Sequence, residues 1–342
     1  MRFAFVADIH LSKYGTDKIE ESSNLPERLH SIMCSLESVA MHCLAEGIDN
    51  LVIGGDVFHG KSVIYSLAQN LFLKFLKKYT DKGLTFYVID GNHDLSGKGK
   101  DVVSALYTLK GFEGVHWIPA GETLAVEDIL FVPYSYEVAD IVKKNRAKVL
   151  ISHFGLSEAE LSSGLSIVSD VSAKDLREKY QLVLLGHYHK PQEIIGQNFR
   201  LFYVGSLIQL DWGEKNEEKR FLVVDSKTLD VESIPITAYL KHVEIILQED
   251  NKEEALEFAR KAKQAGDHVK IIMKERVNLD DVKDEFTVVD KTEIDITDRG
   301  ITSSMSEEDK LKKYLQIKEI PENLHKEFLE LAKPIVDEQE DV

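Results

Sequence analysis

The sequence predicts a layered α/β fold, followed by a small α/β cap domain and a pair of C-terminal helices. Over the first ninety residues, apolar runs at 3–6, 51–53 and 85–89 alternate with two amphipathic helical patterns. Strands that alternate with helices are typical of an α/β domain. The chain has 342 residues, 43% of them hydrophobic, which is enough for two domains with packed cores.

The two helices of the first domain are predicted from apolar residues at helical spacing. The first carries Leu29, Ile32 and Leu36 on one face and ends before Gly47. The second runs from about residue 64 to residue 79. Further strand-like runs follow at 130–134, 149–151, 182–185, 202–206 and 221–224.

Changes in this pattern predict three domains. The layered domain is assigned to residues 1–236, where the long series of strands ends. Residues 237–299 contain three strand-like runs and a helical pattern that stops at Gly266, which predicts a small α/β cap. Residues 300–342 begin as a linker and continue as two short amphipathic helices.

Composition and charge exclude several classes of protein. The net charge of −17 argues against binding of nucleic acid through bulk charge alone. No apolar run approaches the roughly 20 residues of a membrane span, and no signal peptide is recognised, so we expect a soluble cytoplasmic protein without membrane contact. The two cysteines, Cys34 and Cys43, have the wrong spacing for a zinc site and are expected to be buried thiols. The chain lacks the GxxxxGK[ST] motif, so we expect no ATP hydrolysis by a P-loop.

Metal-binding residue types follow five of the predicted strands, each at the carboxyl end of its strand. In chain order the motifs are D-x-H at Asp8 and His10, G-D-x-x-H at Asp56 and His59, G-N-H-D at 91–94, a single His153, and G-H-x-H at His187 and His189. The carboxyl ends of strands are where α/β sheets place their chemistry. Carboxylate, amide and imidazole groups are ligands for hard to borderline divalent cations.

This ordered set of motifs closely resembles the calcineurin-like metallophosphoesterase superfamily. The resemblance implies a β-sandwich flanked by helices, with two divalent ions held about 3.5–4 Å apart. One ion would be bound by Asp8, His10, Asp56 and His189, and the other by Asp56, Asn92, His153 and His187. Mixed nitrogen and oxygen ligands indicate Mn²⁺, with Mg²⁺ as the alternative.

Five further residues near the motifs have predicted roles in catalysis or substrate binding. His93 follows the ligand Asn92 and is the candidate acid that protonates the leaving oxygen, and Asp94 is expected to orient its ring. His59 is either a group behind the ligands or a surface residue. Lys98 and Lys100 belong to a basic loop, which is either a solvated turn or a contact to a phosphate backbone.

Within the superfamily, the chain resembles the SbcD-type nuclease subunits of double-strand-break repair, and their bacteriophage members most. The second motif, G-D-V-F-H-G, lacks the Arg that follows it in protein phosphatases, and the third, G-N-H-D, lacks their closing Glu. The resemblance implies a Mn²⁺-dependent DNA exonuclease and endonuclease that works with an SMC-like coiled-coil ATPase in repair and recombination. It also implies a homodimer formed through the nuclease domain and, for a phage protein, a location in the host cytoplasm.

The C-terminal helices are the predicted contact with the ATPase. Their narrow apolar stripes, with charged residues behind, pack either on the protein's own domains or on a partner. The resemblance indicates the partner's coiled coil. The predicted contact residues are Leu311, Leu315, Leu324, Phe328 and Leu331.

Two other functions stay open on the sequence alone. One is a phosphoesterase that acts on a small molecule or a protein, and the other is a non-catalytic scaffold that keeps this fold. A scaffold is expected to have lost metal ligands, whereas all seven candidates and His93 are present.

Overall fold

The structure is a computed structural model that describes most of the chain. The described residues are 1–14, 18–97, 102–274, 277, 285–291, 305–318, 320–321, 324–325 and 328–329. The chain divides into two compact units, the first formed by Met1–Glu244 and Ala259–Val269 and the second by the remaining residues. The predicted domain boundaries at 236 and 299 stay predictions.

Two six-stranded sheets form the layered part of the first unit. In spatial order, the first sheet consists of β16 (Asp230–Pro235), β15 (Arg220–Asp225), β1 (Arg2–Val6), β4 (Asn50–Ile53), β5 (Thr85–Ile89) and β8 (Val115–Ile118). The second consists of β13 (Gln192–Gly196), β14 (Phe199–Tyr203), β12 (Leu182–Gly186), β11 (Val149–His153), β10 (Ile129–Val132) and β9 (Leu124–Val126). Two ribbons, β2 (Ile19–Glu20) with β3 (Leu25–Pro26) and β6 (Leu95–Ser96) with β7 (Val103–Ser104), accompany them.

The central strands of both sheets are parallel. In the first sheet, Val6 of β1 pairs with Ile53 of β4, and β4, β5 and β8 continue the parallel order. In the second sheet, β10, β11, β12 and β14 are parallel, with Ser152 of β11 opposite Leu185 of β12. Parallel pairing brings the carboxyl ends of these strands to one edge of each sheet, where the ligand-type residues follow.

Six α-helices are present among the described residues. They are α1 (Glu27–Ala45), α2 (Ser66–Thr80), α3 (Val138–Lys144), α4 (Ala173–Leu176), α5 (Lys252–Gln264) and α6 (Glu307–Ile317). The helices α1 and α2 confirm the two helices predicted in the first domain. No helix in the described part of the chain combines the length and the apolar character that a membrane crossing requires.

The alternation of side chains along the strands builds three apolar layers. Phe3, Phe5 and Val52 of the first sheet belong to one buried cluster with Phe131 and Ile151 of the second. The intervening residues of the first sheet, such as Ala4 and Val6, pack instead with α1 and α2. Each fully buried Phe, Val or Ile contributes about 1.5–3 kcal/mol to the free energy of unfolding. The apolar layer between the two sheets therefore holds them together. The predicted layered sandwich flanked by helices is confirmed.

A small three-stranded sheet follows the sandwich in the chain. It contains β17 (His242–Leu247), β18 (His268–Met273) and β19 (Thr287–Asp290), with α5 between the first two strands. These elements match the strands and helix predicted for the cap. In the C-terminal region, α6 confirms the first predicted helix, whereas the second is only partly within the described residues.

Candidate metal centre

Ligand-type side chains follow parallel strands of both sheets at their carboxyl ends. In the first sheet, β1 leads to Asp8 and His10, and β4 leads to Asp56. In the second sheet, β11 ends on His153, and β12 leads to His187. The structure therefore brings these loops together from the two sheets.

Four of these residues have a left-handed backbone, which residues other than glycine rarely adopt. The φ angle is 52° at Asp8, 54° at His10, 53° at Asp56 and 105° at His187. Asp and His tolerate this region better than most residues. A backbone outlier of this kind costs about 1–3 kcal/mol and persists where surrounding contacts fix a functional geometry.

The first group of ligand atoms belongs to Asp8, His10 and His189. The Nε2 atoms of His10 and His189 lie 3.0 Å apart. One ligand atom from each of the three side chains lies within 4.8 Å of the other two. The buried Asp8 carboxylate also accepts a hydrogen bond from the His187 backbone N–H, with both oxygens at 3.0 Å. Three of the four side chains predicted for one ion thus converge.

The second group belongs to Asn92, His153 and His187. The Oδ1 atom of Asn92 lies 3.0 Å from His153 Nε2 and 2.9 Å from His187 Nδ1. His153 Nδ1 lies 2.8 Å from the carbonyl oxygen of Gly54, to which it donates. On a neutral ring this hydrogen bond leaves Nε2 unprotonated and able to bind a metal. These are three of the four side chains predicted for the other ion.

Asp56 lies between the two groups. Its Oδ2 atom is 3.7 Å from His10 Nε2 and 3.4 Å from His153 Nε2. Its Oδ1 atom accepts a hydrogen bond of 2.7 Å from the backbone N–H of His93. The single oxygen Oδ2 therefore faces both groups, while Oδ1 is held by the backbone of the neighbouring loop.

Burial and donor chemistry fit a pair of divalent cations at these groups. Asp8 and Asp56 are only 0% and 2% exposed. Two ionised carboxylates at this depth need compensating positive charge. The donor set is made of nitrogen and oxygen atoms, which suits divalent ions such as Mn²⁺ or Mg²⁺. The residues present therefore fit the metal ions that the sequence predicts.

The same burial and charge perturb the pKa values of the candidate ligands. Burial lowers the pKa of His187, and the neighbouring His153 lowers it further, to about 3. Burial also lowers the pKa of His153, but the charge of Asp56, its hydrogen bond with His153 and the charge of Asp8 together outweigh burial and raise that pKa to about 9. Burial raises the pKa of Asp8. Burial acts in the same direction on Asp56, but the charges of His153 and His10 and the hydrogen bond with His153 together lower the pKa of Asp56. Metal binding is therefore expected to displace a proton from His153.

His93 lies beside the ligand groups. The centroid of its ring is 4.9 Å from that of His10. Its Nδ1 atom lies 2.8 Å from the carbonyl oxygen of His59, to which it donates. This contact orients the ring and leaves Nε2 as the atom that can exchange a proton with a substrate.

Asp94 differs from its predicted role. Its buried carboxylate accepts hydrogen bonds from the backbone N–H groups of Val57 (3.3 Å), Phe58 (3.0 Å) and Gly91 (2.9 Å). A buried carboxylate needs several donors, and the two loops supply them. Asp94 therefore joins the loop of Asp56 to the loop of Asn92, and the carbonyl of His59 orients His93 in its place.

His59 contacts two other histidines of the site. Its Nδ1 atom is 3.3 Å from Nδ1 of His10, and its ring stacks on His93 at a centroid distance of 5.4 Å. These contacts match a group behind the ligands, whereas the exposure of His59 matches a surface residue, so both alternatives stay predictions. Lys98 and Lys100, the predicted basic loop, lie outside the described residues.

Comparison with known proteins identifies the family. Residues 1–191 match the family model described as calcineurin-like phosphoesterase, which is more than half of the chain. This chain belongs to the calcineurin-like phosphoesterase family. The family assignment made from the motifs is confirmed.

Two viral proteins resemble this phosphoesterase in sequence. Exonuclease subunit 1 of Enterobacteria phage T4 is 25% identical over 197 residues, which are 55% of this chain and 56% of that protein. The match thus spans about half the length of the phage protein. Putative phosphoesterase 244L of Invertebrate iridescent virus 6 is 22% identical over 232 residues, which are 65% of this chain and 76% of that protein. A solved archaeal phosphodiesterase aligns over 69% of this chain and 99% of its own, with 12% identity and a TM-score of 0.35.

The phosphoesterase has a buried acid behind His189 that the sequence analysis missed. The Oε1 atom of Glu214 lies 2.9 Å from His189 Nδ1, and Oε2 lies 2.7 Å from Lys219 Nζ. Burial raises the pKa of Glu214, but its hydrogen bond with His189 and the charge of Lys219 outweigh burial and lower the pKa to about 2. Glu214 follows His189 by 25 residues in a 3₁₀ turn, and no motif spacing points to it.

An open cleft of about 320 Å³ adjoins the metal centre of the phosphoesterase. Its lining includes His187, His189 and the segment Leu161-Ser162-Ser163. The volume is at the lower end of the range for small-molecule sites, about 300–1,000 Å³. A phosphoester with its flanking groups extending into solvent fits this shape.

The predicted partner-binding residues differ in exposure. Leu315 is 3% exposed, so the chain itself covers this side chain, while Leu311 is partly buried. Leu324 and Phe328 are 37% and 44% exposed. Leu331 lies outside the described residues. The burial of Leu315 matches docking on the protein's own chain, whereas Leu324 and Phe328 are the exposed residues among the predicted contacts that the structure describes.

Proposed function

We propose that this phosphoesterase is a DNA nuclease of the SbcD type. The observation that carries the proposal is the convergence of two ligand groups on the shared Asp56, which is the arrangement for clamping a phosphodiester between two cations. The similarity to a phage protein named exonuclease subunit 1 supports DNA as the substrate. Mn²⁺ is the proposed metal, with Mg²⁺ as the alternative.

The chemistry proposed for the chain combines metal binding and proton transfer. Two bound cations would activate a water for in-line attack and neutralise charge on the phosphate. Asp8, Asp56 and the histidines would hold them. His93 would protonate the leaving oxygen through Nε2, since its Nδ1–H is already donated to the carbonyl of His59.

The first experiment compares three substrates in the presence of Mn²⁺. We expect the wild type to degrade linear duplex DNA and to nick circular single-stranded DNA, and Asp56→Asn to lose both activities. Cleavage of a small chromogenic phosphoester without any cleavage of DNA would support the alternative phosphoesterase function. If the wild type cleaves none of the three substrates, the result would support the alternative of a non-catalytic scaffold.

The proposed partner is an SMC-like coiled-coil ATPase that binds the C-terminal region. The exposed Leu324 and Phe328 provide apolar surface, and the word subunit in the name of the phage relative supports a complex. A homodimer is proposed through the nuclease domain, where Val103 and Tyr107 are exposed beside the G-N-H-D loop. The complex would act in the host cytoplasm.

A truncation and one substitution test the partner site. The chain truncated after Gly300 should keep its nuclease activity but should no longer bind the ATPase partner. Phe328→Ala should weaken the association by about 2–4 kcal/mol if Phe328 is an interface hot spot. Phe258→Ala is the matched control, because Phe258 is an exposed phenylalanine of the predicted cap. Full co-purification of the truncated chain would move the partner site to the cap or the nuclease domain.

A further inference from the structure

A buried ion pair holds His189 from behind. The Glu214 carboxylate has four neighbours that donate to it. Its Oε1 atom faces His189 Nδ1 at 2.9 Å. Its Oε2 atom faces Ser206 Oγ at 2.9 Å, the Leu210 backbone N–H at 3.1 Å and Lys219 Nζ at 2.7 Å.

The cation of this pair contacts the same histidine through its backbone. Lys219 is fully buried, and its Nζ donates to the carbonyl oxygen of His189 at 3.0 Å. It also donates to Glu217 Oε2 at 2.6 Å. His189 is therefore fixed at two points. The Glu214 carboxylate holds its ring, and the Lys219 ammonium holds its backbone carbonyl.

A buried ion pair is weak evidence for stability, because desolvation offsets most of the attraction. The contacts of this pair indicate a positioning role instead. A carboxylate that accepts the Nδ1–H of a histidine keeps the proton on Nδ1 and leaves Nε2 as the ligand atom. Nε2 of His189 is the atom that lies 3.0 Å from Nε2 of His10.

We propose that Glu214 and Lys219 are positioning residues for the ion shared by His10 and His189. The pair fixes the tautomer and direction of the His189 ring and thereby sets the affinity of that ion. Asn92, His153 and His187, which would hold the other ion, are not among the contacts of the pair given above. The inference rests on the proposed metal-dependent function, but it concerns metal binding alone.

The substitution Glu214→Gln separates positioning from packing, because it keeps the shape of the side chain. Both oxygens of Glu214 face donors, whereas an amide offers a single acceptor. If the amide nitrogen faces His189, it donates to Nδ1, and the ring proton moves to Nε2, which then cannot bind metal. If the amide nitrogen faces Lys219 and the Leu210 N–H instead, its N–H groups point at other hydrogen-bond donors and no acceptor is left for them. Either orientation weakens the site.

Glu217→Gln is the matched control. Glu217 contacts the same Lys219, but its contacts do not include His189. The chemical change is identical in the two variants and both residues contact Lys219, but Glu214 also contacts His189, Ser206 and the Leu210 N–H. A His189→Ala background separates the contact with His189 from the other two. Calorimetric Mn²⁺ titration of the full-length chain gives the affinity of each ion without any turnover assay.

We expect Glu214→Gln to weaken one of the two Mn²⁺ ions by about 10–100-fold and to leave the other unchanged. Glu217→Gln should bind both ions as the wild type does. In a His189→Ala background, Glu214→Gln should have no further effect, because the residue through which it acts is gone.

Wild-type affinity for both ions in Glu214→Gln would overturn the proposal, and so would an equal loss in the His189→Ala background, which would indicate a general structural role. If the wild type binds two ions and cleaves no DNA, the proposed nuclease function fails while this inference stands. If the wild type binds no Mn²⁺, the inference fails with its premise.

Discussion

Gly91→Ala tests whether close backbone packing fixes the bridging carboxylate. A Cβ atom at Gly91 would overlap Asp56 Oδ1 and the Asp56 backbone nitrogen, and it would lie 2.9 Å from Asp56 Cγ. Gly91 does not have a positive φ, so alanine is compatible with the local backbone. The substitution therefore acts through one contact, the one with Asp56.

The size of the effect follows from this distance. Carbon atoms in ordinary contact lie about 3.5–4.0 Å apart, so the contact with Asp56 Cγ alone requires a shift of about 0.6–1.1 Å, and the closer overlap with the Asp56 backbone nitrogen requires the backbone of that loop to move as well. Overpacking of this kind costs about 1–3 kcal/mol of the free energy of unfolding. Misplacement of a catalytic group by 1 Å costs about 10²-fold in rate. Because Oδ2 of Asp56 faces both ligand groups, the affinity for both ions should fall as well.

The control is Gly111→Ala, at a glycine with open space around it. Gly111 has a φ of 76°, and no atom lies within 4 Å of the position that a Cβ would occupy, so alanine there costs only about 1–2 kcal/mol of backbone strain. The two variants thus lose similar stability in urea unfolding, but only Gly91→Ala should lose Mn²⁺ affinity and turnover of a chromogenic phosphodiester. Wild-type metal affinity and rate in Gly91→Ala would refute the placement of Asp56 between the ions.

Three further predictions concern histidines. His93→Asn should keep both ions and lose about 10²–10⁴-fold in rate, and loss of an ion in a Mn²⁺ titration would contradict the acid role. His187→Ala should bind one Mn²⁺ fewer per chain and lose turnover, whereas unchanged stoichiometry would remove His187 from the ligand set. Burial, with the charges of His268 and Arg28, lowers the pKa of His242 to about 4, so the folded state prefers the neutral ring. His242 therefore makes its full contribution to the free energy of unfolding above pH 6.5, and this contribution is lost as the pH falls through 4. Between pH 7 and pH 4, the free energy of unfolding of the metal-free wild type in urea should fall by about 2 kcal/mol more than that of His242→Phe. This value is reduced for solvent screening. Equal losses in the two proteins would contradict the low pKa of His242.

The ligand candidates could be predicted from the sequence because their positions are tied to strand ends. Asp8 comes two residues after β1 ends, and His153 is the last residue of β11. Strand ends are visible as apolar runs, and parallel pairing brings them to one edge. The contacts of Asp94 and Glu214 could not be predicted in this way. They join segments that are 36 and 25 residues apart, and no periodicity relates such segments.

The exposure of individual side chains in the C-terminal helices also could not be predicted from the sequence. The apolar stripe predicted both self-docking and partner docking for Leu315 and Phe328 alike. In the structure Leu315 is covered and Phe328 is partly exposed. A helical pattern specifies which face is apolar, but what covers that face depends on the tertiary structure.

The candidate metal centre also connects the loops of the two sheets. Asp8, after a strand of the first sheet, accepts the backbone N–H of His187, after a strand of the second. His153 of the second sheet donates to the carbonyl of Gly54 in the first. The candidate ligands thus hold the backbone of the opposite sheet's loops, and this explains how the left-handed residues among them are maintained before any ion binds. A substitution at Asp8 should therefore shift His187, a candidate ligand of the other group, so changes at these two residues are expected to be non-additive.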